Sequence, residues 1–97
     1  MIQNIIQEAR KGSAEQQNML GHFYLLGCLV EKDKKKSAYW FKKSAEQGFA
    51  DSQFSLGLCY HAGCGVDTDM AKAVCWYRKS AKQGNSDAHH ILLRIGC

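Results

Sequence analysis

Residues 14–49, AEQQNMLGHFYLLGCLVEKDKKKSAYWFKKSAEQGF, lie over residues 50–85, ADSQFSLGLCYHAGCGVDTDMAKAVCWYRKSAKQGN, with 16 of 36 positions identical. The shared positions include Gln17/Gln53, Leu20/Leu56, Gly21/Gly57, Tyr24/Tyr60, Asp33/Asp69, Trp40/Trp76, Ser44/Ser80, Gln47/Gln83 and Gly48/Gly84. A fixed period of this size marks a stack of supersecondary units, each burying its apolar face against its neighbours. Stacks of this kind most often bind other proteins. No catalytic nucleophile or cofactor fingerprint competes with the repeat.

Working outward, the period resolves into helices. Proline is absent, and glycine stands near each proposed boundary, so glycine supplies the punctuation. Apolar residues at 2, 5, 6 and 9 are at helical spacing, and Gly12 ends that first helix. The second helix is expected over Ala14–Leu26, with Met19, Leu20, Phe23 and Tyr24 inward and Gly27 closing it. A loop with Val30 turned into the core leads to a third helix over Lys35–Gln47, and Gly48 caps its end. The second unit copies this with helices over Ala50–Ala62 and Met70–Gln83. A sixth helix starts near Ser86, whose hydroxyl is the expected cap. Asp33 and Asp69 stand just ahead of helices three and five, where a carboxylate satisfies orphan N–H groups. Gly21 and Gly57 are expected to let helices approach closely. The layout is all-α: an α-solenoid of about six antiparallel helices in one domain, residues 1–97. Its parts are a half-repeat at 1–13, full repeats at 14–49 and 50–85, and a half-repeat at 86–97.

Composition sets bounds on function. Ninety-seven residues with 45% hydrophobic content suit one small globular domain. No apolar run nears the ~20 residues needed to span a bilayer. The start, MIQNIIQEARKGS, has no basic segment followed by an apolar stretch, so no secretory signal is read and a cytoplasmic location is expected. The net charge of +4 is too mild to imply nucleic acid. Five cysteines, Cys28, Cys59, Cys64, Cys75 and Cys97, form an odd set that reads as free thiols. Cys28 and Cys64 fall at equivalent places in successive units, too far apart for a bridge. Only Cys59 with Cys75 is kept as a pairing, across the two helices of one unit.

The pattern at 50–85 is A-x-x-Q-x-x-L-G-x-x-Y-x-x-G-x-G-V-x-x-D-x-x-K-A-x-x-W-Y-x-K-x-A-x-Q-G. It resembles the Sel-1-like repeat, a relative of the tetratricopeptide repeat with a longer inter-helix loop. The residues that carry the resemblance include Ala50, Gln53, Leu56, Gly57, Tyr60, Gly63, Gly65, Val66, Asp69, Lys72, Ala73, Trp76, Tyr77, Lys79, Ala81, Gln83 and Gly84. The first copy departs at Leu29, which replaces the second loop glycine, and at Ser37, which replaces the alanine. In the last segment Leu93 and Gly96 depart from the Gly and Tyr of the pattern.

The resemblance implies a non-enzymatic scaffold. Sel-1-like proteins act as adaptors in signalling, protein quality control and bacterial host interaction, and some bacterial ones are immunity proteins that neutralise a toxin. If the first helices are phased as in tetratricopeptide repeats, their second, fifth, ninth and twelfth positions line a concave binding face. Those positions are Glu15, Asn18, His22 and Leu25, then Asp51, Phe54, Leu58 and His61, then Asp87, His90 and Arg94. The mixture suits a peptide or helix laid across it. Against this, Leu25 and Phe54 also fit a core, and the acids also complement helix N-termini.

Other clusters carry less. Lys32, Lys34, Lys35, Lys36, Lys42 and Lys43 have the charge for phosphate contacts. However, Glu31 and Asp33 dilute the run, and it reads as a solvated face able to meet an acidic protein. Cys59, His61 and Cys64, with His89, His90 and Cys97 elsewhere, hint at zinc, but the spacing fits four tetrahedral ligands poorly. No metal, cofactor or catalytic residue is therefore assigned. The expected role is an adaptor that binds a protein or peptide, with no nucleic acid or membrane partner. The alternative is an immunity or inhibitor protein, and self-association through the exposed half-repeats is a third reading.

Overall fold

The computed structural model describes residues 2–96; Cys97, read above as a thiol, lies outside the described residues. Six helices follow one another: α1 (Ile2–Arg10), α2 (Ala14–Leu26), α3 (Lys34–Glu46), α4 (Ala50–Ala62), α5 (Met70–Lys82) and α6 (Ser86–Arg94). No strand occurs among the described residues. Each helix packs chiefly on its neighbours in sequence, which draws the molecule out to 41 × 24 × 17 Å. This is an all-α solenoid of antiparallel helix pairs.

Local chemistry sets the helix ends. The N–H groups of Lys36 and Lys72 each donate to the carboxylate of Asp33 and Asp69 at 3.1 Å, so both aspartates are N-caps. At α6 the cap is Asn85 rather than Ser86: Asn85 Oδ1 accepts from the Ala88 N–H at 2.9 Å, and Ser86 is already helical. Asparagine and serine are comparable caps, and the extended backbone at Asn85 decides between them. At the other ends, Gly27 and Gly63 take φ of +72° and stop α2 and α4.

The repeated glycines are contact points. A Cβ on Gly21 would sit 2.5 Å from the Phe41 ring, and one on Gly57 would sit 2.5 Å from the Tyr77 ring. Phe41 and Tyr77 are almost wholly buried and head a core that includes Ala38, Ala45, Leu56, Cys59, Tyr60 and Ala73. Trp76 and Val66 pack against that core, whereas Val30 is half-buried and outside it.

The repeated glutamines and serines join units together. Gln17 and Gln53, both buried, donate to the Ala9 and Ala45 carbonyls. Each then accepts, at 2.8 and 2.9 Å, from the amide of Gln47 or Gln83. Ser44 and Ser80 donate to the carbonyls of Ala14 and Ala50 at 2.7 Å. Buried polar groups cost free energy unless they are paired, and none of the buried side-chain atoms described lacks a partner.

The pairing of Cys59 with Cys75 does not occur. Cys59 is buried in the core, while Cys75 stands exposed on α5. The helical turn that turns Tyr77 inward leaves residue 75 on the opposite side. All four described cysteines are free.

Candidate partner-binding face

The first helices of successive units, α2, α4 and α6, run side by side, and two depressions lie between them. Between α2 and α4 is a small apolar cleft of about 200 Å³, with His22, Leu25 and Leu58 at its rim and Phe41, Cys59 and Cys64 on its walls. Between α4 and α6 is a wider open groove of about 590 Å³, bounded by Phe54, Asp87, His90, Ile91, Leu93 and Arg94.

Seven of the eleven residues assigned to this face from sequence line one depression or the other: His22, Leu25, Phe54, Leu58, Asp87, His90 and Arg94. The remaining four do other work or stand apart. Asn18 Oδ1 lies 2.7 Å from the Ser52 hydroxyl, which also lies 2.7 Å from Ser44 Oγ and donates its single proton to one of the two at a time. Asp51 accepts from the Asn85 amide at 3.3 Å, linking α4 to the start of α6. His61 Nδ1 lies 3.1 Å from the buried Tyr77 hydroxyl, which ties the ring back against the core. Glu15 is exposed and lines neither depression.

The face is therefore uneven along the stack. Leu58 is 39% exposed and Leu93 62% exposed, so apolar surface is on offer in both depressions. Phe54 is half-buried, its ring 5.8 Å from that of Tyr77, and it belongs partly to the core. The His22 ring meets Phe41 edge-on at 4.9 Å while its outer side faces solvent. That partial burial lowers its pKa, with the Asp51 charge opposing. At neutral pH the ring is uncharged and fits the apolar cleft. Arg94, His90 and Asp87 give the wider groove donors and an acceptor for a peptide backbone or its charged ends.

Sequence reasoning missed Ser55, Ala62, Cys59 and Cys64 as cleft-lining residues. Ser55, Cys59 and Ala62 each stand one residue beyond a counted position of α4, and Cys64 lies in the turn after that helix, which counting helix positions does not reach. Leu93 was noticed only as a departure from glycine, and that departure was the signal. It occupies the place of Gly21 and Gly57, and on α6 its side chain projects into the groove.

The lysine run is a separate surface. Lys32, Lys34, Lys35, Lys36, Lys42 and Lys43 are all exposed, with Lys36 and Lys43 lying over the Tyr24 and Tyr39 rings at 5.5 and 5.7 Å. Among the described residues no group of three metal-ligating side chains assembles, and no helix is long and apolar enough to cross a membrane.

The Sel1 repeat family description matches residues 14–49 and again residues 50–85. The chain belongs to the Sel1 repeat family. Solved structures agree. A Sel1 repeat protein from Oxalobacter formigenes is 37% identical with a TM-score of 0.92, over 93% of this chain and 68% of that one. The protective antigen c5321 of uropathogenic Escherichia coli, which displays an SLR fold, is 39% identical with a TM-score of 0.86. That match covers 91% of this chain and 19% of the antigen. Helicobacter pylori cysteine rich protein B is 31% identical with a TM-score of 0.89, over 94% of this chain and 68% of that one. No curated protein gives a significant sequence match. Sel1 repeats generally serve as protein–protein interaction modules, and proteins built from them are typically non-enzymatic scaffolds.

Proposed function

We propose that this Sel1 repeat protein is an adaptor that holds an extended or helical peptide segment across α2, α4 and α6. The observation that carries this is the pairing of depressions on one side of the stack. An apolar cleft that accepts an aliphatic side chain adjoins a groove whose Arg94, His90 and Asp87 can meet polar and charged parts of the same segment. Helix-in-groove recognition uses this combination, with apolar anchors for affinity and a polar rim for register. A helix packed on α6 as α3 packs on α2 would meet Leu93 where Gly21 leaves room, which disfavours stacking a second copy there in register.

The test compares binding partners of the native protein with those of two variants. Leu58→Asp places a charge in the apolar cleft at an already exposed position, and Arg94→Glu reverses charge in the groove. Phe54→Asp is less suitable, because its half-buried ring supports Tyr77. A stoichiometric partner lost with both variants, at unchanged helical circular dichroism, supports the reading. A partner kept by both but lost with Lys35→Glu, Lys42→Glu would move the interface to the lysine face.

A further inference from the structure

The last turn of α4 and the loop behind it bring together two thiols. Gly63 lies at φ +72°, and the N–H of Cys64 donates to the Cys59 carbonyl at 2.9 Å. This six-to-one bond belongs to the Schellman ending of a helix, in which the side chains at its two ends are placed to touch. Standard backbone dimensions then keep the two Cα atoms no more than about 6.8 Å apart, the longest span that disulfides commonly bridge.

Both side chains line the same apolar cleft, and Cys64 packs against the core to which Cys59 belongs. Burial above all, with Cys64 beside it, pushes the Cys59 thiol up to about 12. Cys59 is 4% exposed and Cys64 is half-buried, so the second sulfur is the accessible one. In the first unit the same backbone bond runs from Cys28 to Phe23 at 3.0 Å. A phenylalanine thus fills the place of Cys59 there, so the turn forms without a second sulfur at that place. Cys28 and Cys75 stand exposed elsewhere, away from this turn.

We propose that Cys59 and Cys64 are a reversible thiol pair that closes to an intramolecular disulfide on reaction with a low-molecular-weight disulfide such as oxidised glutathione. The Cys64 thiolate attacks one sulfur of glutathione disulfide, forming a mixed disulfide and expelling one glutathione thiolate. Cys59 then loses its proton to solvent as its sulfur attacks that of Cys64, expelling the second glutathione. Two protein thiols and one glutathione disulfide become one protein disulfide and two glutathiones, so electrons and protons balance.

The experiment equilibrates the native chain and the Cys28→Ser, Cys75→Ser, Cys97→Ser variant with graded mixtures of reduced and oxidised glutathione, followed by acid quench, alkylation and intact-mass and peptide mapping. The expected product has lost the mass of two hydrogens, carries no glutathione, is cross-linked between residues 59 and 64, and reverts with excess dithiothreitol. Cys59→Ser, added to that variant, should accumulate the glutathione adduct on Cys64, whereas Cys64→Ser should leave residue 59 unmodified while folded. A persistent adduct on Cys64 with Cys59 present, no reaction in fully oxidised glutathione, or a disulfide joining other cysteines of the native chain would overturn the proposal. Mapping the native chain keeps the test decisive if the triple variant folds poorly.

Discussion

Leu29 and Gly65 fill the same loop position in the two units, and both adopt left-handed backbone, at φ +65° and +74°. For leucine that conformation costs roughly 1–2 kcal/mol, and its side chain is 68% exposed, so little packing compensates. Leu29→Gly is therefore expected to stabilise the fold by a few tenths to about 1 kcal/mol, since glycine's unfolded-state entropy offsets part of the relief; urea denaturation reads the shift. Gly65 has no such latitude, because a Cβ there would run into the Lys34 carbonyl at the start of α3. His22 offers a second residue-level test. Its folded pKa lies below the ordinary 6.5, so the unfolded chain takes up the proton first. The stability that its neutral form contributes is present above 6.5 and is lost as pH falls through the folded value. Denaturation midpoints between about pH 8 and about pH 5 should drop more steeply for the native protein than for His22→Leu, which copies Leu58.

The interlocking of helices rests on a few small or polar side chains. Gly21 and Gly57 show why a sequence rule can change sign in context. Alanine gains ~1 kcal/mol over glycine inside a helix, yet here its Cβ would press on the Phe41 or Tyr77 ring at 2.5 Å. Overpacking a dense core costs about 1–3 kcal/mol, so Gly57→Ala is expected to lower Tm, by about 4–8 °C per kcal/mol of net loss in a domain of this size. Differential scanning calorimetry gives the sign directly. Between units, Gln53 connects α3, α4 and α5 through Ala45 and Gln83. Gln53→Leu keeps bulk but removes the donor to the Ala45 carbonyl and the acceptor of the Gln83 amide; both keep a second partner, the Gly48 N–H and the Gly48 carbonyl, so the expected loss in urea denaturation is about 0.5–1.5 kcal/mol.

Because each helix packs chiefly on its neighbours in sequence, stability should be distributed along the stack like a chain of nearest-neighbour couplings. α1 contributes only Ala9 to the buried set, and α6 only Ala88 and Leu92, whereas α4 contributes seven residues. Native-state hydrogen exchange should accordingly be slowest in α3 to α5 and fastest in α1, with α6 close behind. Uniform protection across all six helices would show that the chain instead unfolds as a single block.

Much of this molecule follows from residue order. The helical spacing of Met19, Leu20, Phe23 and Tyr24 and the capping aspartates act over one or two turns, and the 36-residue period repeats those short-range patterns, so both stay visible in a linear string. The direction in which Asn18, Asp51 and His61 spend their polar atoms was decided only in three dimensions, because Ser52, Asn85 and Tyr77 approach them from other helices. The division of the face into a dry cleft and a charged groove has the same origin. So does the meeting of Cys59 with Cys64 in place of Cys75, since a left-handed glycine folds the chain back within five residues. Periodicity names the unit because every unit must bury the same face; where two units meet, the partners come from distant parts of the chain, and only packing brings them together.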